Sequence, residues 1–215
     1  MRLIALSILA LLAGCTSTQQ GMIDTVNSAV WGPEDVTVSD AKIQSIPFST
    51  QYLRLNGGQR IFVGLGYIEQ GNSKWLTQDN AMLVTHQGRL LKTVKLHGSN
   101  LSAVTSTAPD PLVDAKNLKP GQTWSRTIRW SEGDRLYSAA LTSRFVRADK
   151  DQVLHIAGKA IPCEVWYEEV QSVAPDAQWR NTFWIDAQNG QVRQSYQMLG
   201  AGTYPVEMTM LKPAP

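Results

Sequence analysis

The sequence predicts a mainly-β fold: a single antiparallel, β-barrel-like domain with one or two short N-terminal helices. Three observations carry this expectation. From Arg60 onward, apolar residues recur with period two or in short β-branched runs, the pattern of strands. Helical spacing is confined to two short stretches before Pro47. The strand-like runs are joined by short turn signals, so sequence neighbours pair antiparallel. Such a sheet must cover its apolar face. With so little helix to pack on it, closure into a barrel is the favoured solution, and a two-sheet sandwich is the second.

Taken in order, the chain starts with Arg2 and then an apolar run, Leu3 to Leu12, interrupted only by Ser7. A bilayer span needs about 20 apolar residues, so this length and its charged lead-in mark a secretory signal. It ends in Leu12-Ala13-Gly14-Cys15, which closely resembles the lipobox of bacterial lipoproteins. The resemblance implies cleavage before Cys15, a diacylglyceryl thioether on its sulfur and acylation of the new amine. Each buried methylene contributes about 0.8 kcal/mol, so several chains together anchor firmly. The next residue is Thr16 and not Asp, which in the Gram-negative system implies the outer membrane. The expected division is a signal at 1–14, a lipidated tether and short helix at 15–38, and the barrel-like domain at 39–215. Met22, Ile23, Val26, Ala29 and Val30 give that helix its spacing, and Gly32-Pro33 stops it. Ser39 is placed to cap a second short helix over Asp40 to Ile43, which Pro47 ends.

The expected strands follow. Arg60 to Glu69 contains Gly64 and Gly66, which signal a bend or the close approach of another backbone. Lys74 to Thr77 is short. Ala81 to His86 and Arg89 to Leu96 flank Gln87-Gly88 as a hairpin, and Asn100 to Val104 continues the sheet. Ala108-Pro109-Asp110-Pro111 is the strongest internal punctuation, followed by the turn Lys119-Pro120-Gly121. Gln122 to Trp130 alternates, with Trp124, Arg126, Ile128 and Trp130 on one face. Further runs cover Leu136 to Val146, Gln152 to Ile156 and Cys163 to Gln171. Arg180 to Asp186 and Gln191 to Leu199 flank Asn189-Gly190, the clearest hairpin signal here, since both residues tolerate positive φ. Tyr204 to Met210 closes a set of about ten strands.

Composition narrows the chemistry. A hydrophobic content of 43% and a charged content of 18% fit one ordinary globular domain. The net charge of +2 gives no electrostatic case for nucleic acid. The two cysteines are Cys15 and Cys163. With Cys15 lipidated, Cys163 has no partner within the chain and reads as a buried, inert thiol. His86, His97 and His155 share no metal-ligand spacing and read as surface or turn residues, so neither a metal nor a cofactor is expected. Glu164 and Glu168 share one face of a strand, read as solvated, with Glu169 on the other. Their spacing of about 13 Å is too long for a glycosidase pair, which leaves only a partner such as Asp186 from another strand. There is no nucleophile elbow or phosphate loop, and Gly64-Leu65-Gly66 lacks the rest of a dinucleotide fingerprint. Catalytic residues are therefore expected to be none. Of the seven tryptophans most are expected in the core, and Trp75, beside Lys74 and Gln78, is the candidate for a sugar contact.

Several stretches together resemble one family. They are Ile46-Pro47-Phe48, the run Trp75 to Asp79 leading into Leu83-Val84-Thr85-His86-Gln87-Gly88-Arg89-Leu90, and Phe183-Trp184-Ile185-Asp186 with Gly190-Gln191-Val192. This is similar to the YjbF family of outer-membrane lipoproteins, which includes the lipoprotein of the group 4 capsule system. The resemblance implies a barrel-like fold and a role in exopolysaccharide or capsule production or export. It also implies periplasmic and outer-membrane export proteins as partners, and it brings no catalytic residues. The expected function is a non-catalytic accessory factor on the periplasmic side of the outer membrane. The alternatives are a polysaccharide-modifying enzyme using scattered carboxylates and a lipid or lipoprotein carrier.

Overall fold

The computed structural model describes residues 34–213. The expected lipobox, Cys15 and the Met22–Val30 helix lie outside them. After an extended lead-in comes α1, Asp40–Ser45, whose N-cap Ser39 accepts from the Lys42 N–H. Thirteen strands follow: β1 (Thr50–Leu55), β2 (Arg60–Glu69), β3 (Asn72–Leu76), β4 (Met82–His86), β5 (Arg89–Val94), β6 (Ser99–Thr105), β7 (Thr123–Glu132), β8 (Arg135–Arg147), β9 (Gln152–Ile156), β10 (Lys159–Val173), β11 (Asp176–Asp186), β12 (Val192–Met198) and β13 (Pro205–Lys212). Between β6 and β7 a 3-10 segment runs from Pro111 to Asn117.

The order across the sheet is β5-β4-β3-β2-β1-β13-β12-β11-β10-β8-β7-β6, with β9 paired on β10 alone. The strands form a nearly closed antiparallel barrel, as the sequence predicts. Its ends, β5 and β6, meet through side chains. Thr93 Oγ1 accepts from Leu101 N at 2.9 Å, while Asn100 accepts from Leu96 N at 2.9 Å and donates to Leu96 O at 2.8 Å. These bonds satisfy edge groups that a continued ladder would otherwise take up.

Most expected strands are present with shifted ends. β1 received no assignment from sequence, because Thr50, Gln51 and Arg54 interrupt its apolar residues, yet it joins β2 to β13. β10 starts before Pro162, which is tolerated because its missing N–H faces the β11 side beyond the last ladder pair, Cys163 with Asp186, where its own C=O accepts from Ala187 N at 3.0 Å. The β11–β12 connection is longer than a two-residue turn. Gly190 alone takes positive φ, while Asp186 and Asn189 accept from the Gln188 and Gln191 N–H groups. The β4–β5 turn, in contrast, has φ of 47° at Gln87 and 84° at Gly88, the signs of a type I′ turn. Gly66 falls at a register shift between Leu65 and Tyr67, the expected bend, whereas what lies close over Gly64 is the Phe48 ring and not another backbone.

Two apolar clusters fill the barrel. One is built on Leu53, Val63, Trp75, Leu83, Trp130 and Val206. The other gathers Leu112 and Ala115 of the 3-10 segment with Trp124, Phe145, Trp166 and Phe183. A third cluster lies on the outer face of β1 and β2, where Ile43 of α1 meets Ile156 and Leu211 beside Tyr52 and Phe62.

Candidate functional site

Alternation puts Arg126, Ser143 and Glu168 inside the barrel. β7 buries every second residue, so Arg126 enters between Trp124 and Ile128. On β10 the same face carries Trp166, Glu168 and Val170. Glu168 is fully buried, which corrects the expectation of a solvated strand face. The face it shares with Glu164 is the one turned into the barrel. No charge survives there without partners, and Glu168 has several. Arg89 Nη1 donates to Oε2 at 2.7 Å, Asn181 donates to the same oxygen at 2.8 Å, and Ser143 donates to Oε1 at 2.8 Å. Arg126 Nη1 lies 2.9 Å from Oε1. Asp110 completes the set by accepting from Arg89 Nε at 2.7 Å and from Leu112 N at 3.0 Å, so one carboxylate both caps the 3-10 segment and ties it to the barrel wall. Two guanidinium groups face two carboxylates, and the cluster is neutral. Trp124 lies under both arginines and Phe183 under Arg89.

The electrostatics follow from this packing. Burial favours the neutral acid at Glu168, but Arg126 and Arg89 outweigh it and hold the carboxyl at about 2. Burial likewise opposes the charge on Arg89, and the Asp110 and Glu168 carboxylates overcome it and raise its pKa. At Arg126 burial prevails, with Arg89 adding to it, and the pKa is lowered. A carboxylate with both oxygens held in this way is a structural group.

The other singled-out residues are dispersed. Asp186 lies on the opposite face of β11 from Asn181 and Phe183 and accepts from Arg193 at 2.8 Å. It is five residues along the ladder from Asn181, the cross-strand partner of Glu168, or roughly 17 Å. Glu168 and Asp186 therefore form no glycosidase pair. Glu164 accepts from the Trp166 indole, and Glu169 pairs with Arg180 at the surface. Cys163 is buried, and burial, with Asp186 nearby, pushes its thiol up to about 11, as an inert thiol requires. His97 and His155 are exposed, and His86 meets Gly71 O at a hairpin tip. Trp75 is 2% exposed, and its indole N–H donates to Thr85 at 2.9 Å. That corrects the expected sugar contact: the ring is part of the core, because β3 turns it inward, and it presents no open face for stacking. Trp124, Trp130 and Trp166 are buried as expected.

A chamber of about 320 Å³ opens where β1 begins and β13 ends. Its walls are the inner faces of β1, β12 and β13 on one side and the β2–β3 and β4–β5 turns on the other. Gly88 holds the second turn against β12, since a Cβ there would lie 2.4 Å from Val192 Cβ. Gln197 reinforces the contact by donating to Gly88 O at 2.8 Å and accepting from Leu90 N at 3.2 Å. Sequence reasoning overlooked Gln51, which lies on the chamber wall, because β1 itself was unassigned.

The family model described as group 4 capsule polysaccharide lipoprotein GfcB, YjbF matches residues 23–211. The chain belongs to the YjbF family. Among curated YjbF-family relatives, GfcB of Escherichia coli K12, called an uncharacterized lipoprotein, is 59% identical over the whole of both chains. YjbF of the same organism is 39% identical over 95% of this chain and 94% of its own. The crystal structure of the hypothetical lipoprotein YmcC from Escherichia coli K12 is 58% identical, covers 90% of this chain and 97% of its own, and superposes with a TM-score of 0.79. The family is thus capsule-associated, and the barrel is shared with this solved structure. Among the described residues no helix is long and apolar enough to cross a membrane.

Proposed function

We propose that this YjbF-family protein is a non-catalytic accessory factor in capsule or exopolysaccharide production or export. In this reading Cys15 carries its acyl chains and holds the barrel on the periplasmic side of the outer membrane. There it meets export proteins and the passing polymer. The family match over residues 23–211 carries the capsule connection, and the lipobox with Thr16 supports the anchor and its sorting.

The structure adds a reason to prefer an accessory role. The carboxylates that a polysaccharide-modifying enzyme would draw on are committed elsewhere. Glu168 is enclosed by two arginines, and Asp186 is held by Arg193 on the other face. A lipid carrier is disfavoured by the packed barrel interior: the space enclosed beside Arg126 and Trp179 is about 20 Å³, room for a single water.

The test compares wild type with Cys15→Ser in a capsule-producing host. Wild type is expected in the outer-membrane fraction with a labelled acyl chain, and Cys15→Ser in the soluble periplasm with reduced surface polysaccharide. Purified protein is expected to leave the matching polymer unaltered. Normal surface polysaccharide with Cys15→Ser, or cleavage of the polymer that is lost on changing Glu164 or Asp186, would overturn the proposal.

A further inference from the structure

The chamber at the start of β1 contains a polar group with no partner among the described residues. Gln51 sits between Met210 of β13 and Val63 of β2, on the inward face it shares with Leu53. It is 2% exposed, lines the chamber, and its Nε2 finds no hydrogen-bond partner among the described residues. A buried amide donor left unpaired is costly, so its placement against an open volume points to an acceptor that comes from outside.

The rest of the lining narrows what that acceptor belongs to. Gln87 and Gln191 add two more amides to the lining, each able both to donate and to accept. Among the described residues Arg193 is the one charged member of the lining, and its guanidinium is already paired with Asp186 at 2.8 Å. An anionic ligand therefore finds no free countercharge there. Met208 and Met210 supply apolar wall. Polar groups that act in both directions, small apolar faces and no available charge suit a neutral ligand with many hydroxyls and exposed C–H faces. The volume lies at the small end of ligand sites, which run from about 300 to 1,000 Å³.

We propose that this chamber binds a neutral sugar unit, with Gln51 Nε2 donating to one of its oxygens. The proposal rests on the reading of the chain as a capsule-polysaccharide lipoprotein and names the site at which it meets the polymer.

The experiment titrates neutral monosaccharides and disaccharides, with glucuronate as the anionic control, into the Cys15→Ser protein and follows ligand-observed NMR. Wild-type lining is expected to bind at least one neutral sugar with a Kd in the millimolar range, and glucuronate more weakly. Gln51→Met keeps the side chain's length and removes the amide. It is expected to leave the melting temperature unchanged or raised, since an unpaired buried donor is removed, and to weaken sugar binding by about tenfold. Gln191→Ala, at the half-buried rim, is the second variant and is expected to weaken binding without unfolding. Absence of binding by every neutral sugar, preference for glucuronate, or undiminished binding in both variants overturns the proposal. The Cys15→Ser comparison of surface polysaccharide separates the two readings. If that phenotype holds while sugar binding fails, the chamber assignment is wrong and the accessory role stands.

Discussion

The sequence places Arg126 on a strand face otherwise made of Trp124, Ile128 and Trp130. An inward charge of this kind demands a buried partner, but the alternation could not name Glu168, Arg89 or Asp110. These lie on β10, on β5 and in the β6–β7 connection. Removing one member leaves the others uncompensated. Glu168→Met is expected to cost about 3–5 kcal/mol in urea unfolding. Arg126→Met with Glu168→Met removes one charge of each sign, leaves the Arg89–Asp110 pair, and is expected to cost less than Glu168→Met alone. The pH dependence has a definite sign. Glu168 has its folded pKa at about 2, below the ordinary 4.5. Its contribution to stability is therefore complete above about 4.5 and is lost as pH falls toward about 2. Thermal melts across that window are expected to fall in wild type and to fall less steeply in the Arg126→Met, Glu168→Met double variant.

At the scale of elements, the hairpin at Gln87-Gly88 was readable from its residues, but its task was not. The turn reaches across to β12, and Gly88 is needed both for its φ of 84° and for lack of a Cβ against Val192. Gly57, in the β1–β2 turn, has a similar φ of 69° but nothing within 4 Å of an added Cβ. Gly57→Ala is therefore expected to cost about 1–2 kcal/mol from backbone strain alone. Gly88→Ala is expected to cost about 1–3 kcal/mol beyond that through overpacking. Equal losses for the two in chemical denaturation would show that the contact across the chamber contributes nothing. Likewise Ala108 to Pro111 reads as a break in the sequence. Only the fold makes Asp110 both a helix cap and the partner of Arg89.

For the whole molecule, closure depends on the pairing of β1 with β13, strands from opposite ends of the described chain. β13 also pairs with β12, so it carries the hydrogen-bonded ladder between the two halves of the strand order, whose far ends, β5 and β6, meet through side chains. Deleting residues 205–215 is expected to abolish the cooperative calorimetric transition, whereas a local role for the last strand would leave a lowered but sharp one. The same long-range pairing makes loop closure costly, and refolding of the full domain is expected on the slow, millisecond-to-second scale of β-rich topologies.

Period-two patterning and turn residues determined the fold class, most of the strands and the Ser39 cap of α1, because those signals are local and set by backbone geometry. The resemblance of several short stretches was enough to place the chain in its family. What the tertiary structure alone decided was which strands meet and what their inward faces bring together. Closure converted Glu168 from an expected surface group into the centre of a neutral buried cluster. It also took the Trp75 ring into the core and left Gln51 facing an open chamber. A strand's sequence gives two faces. Only its neighbours decide which of them meets water, since burial and pairing are properties of residues far apart in the chain.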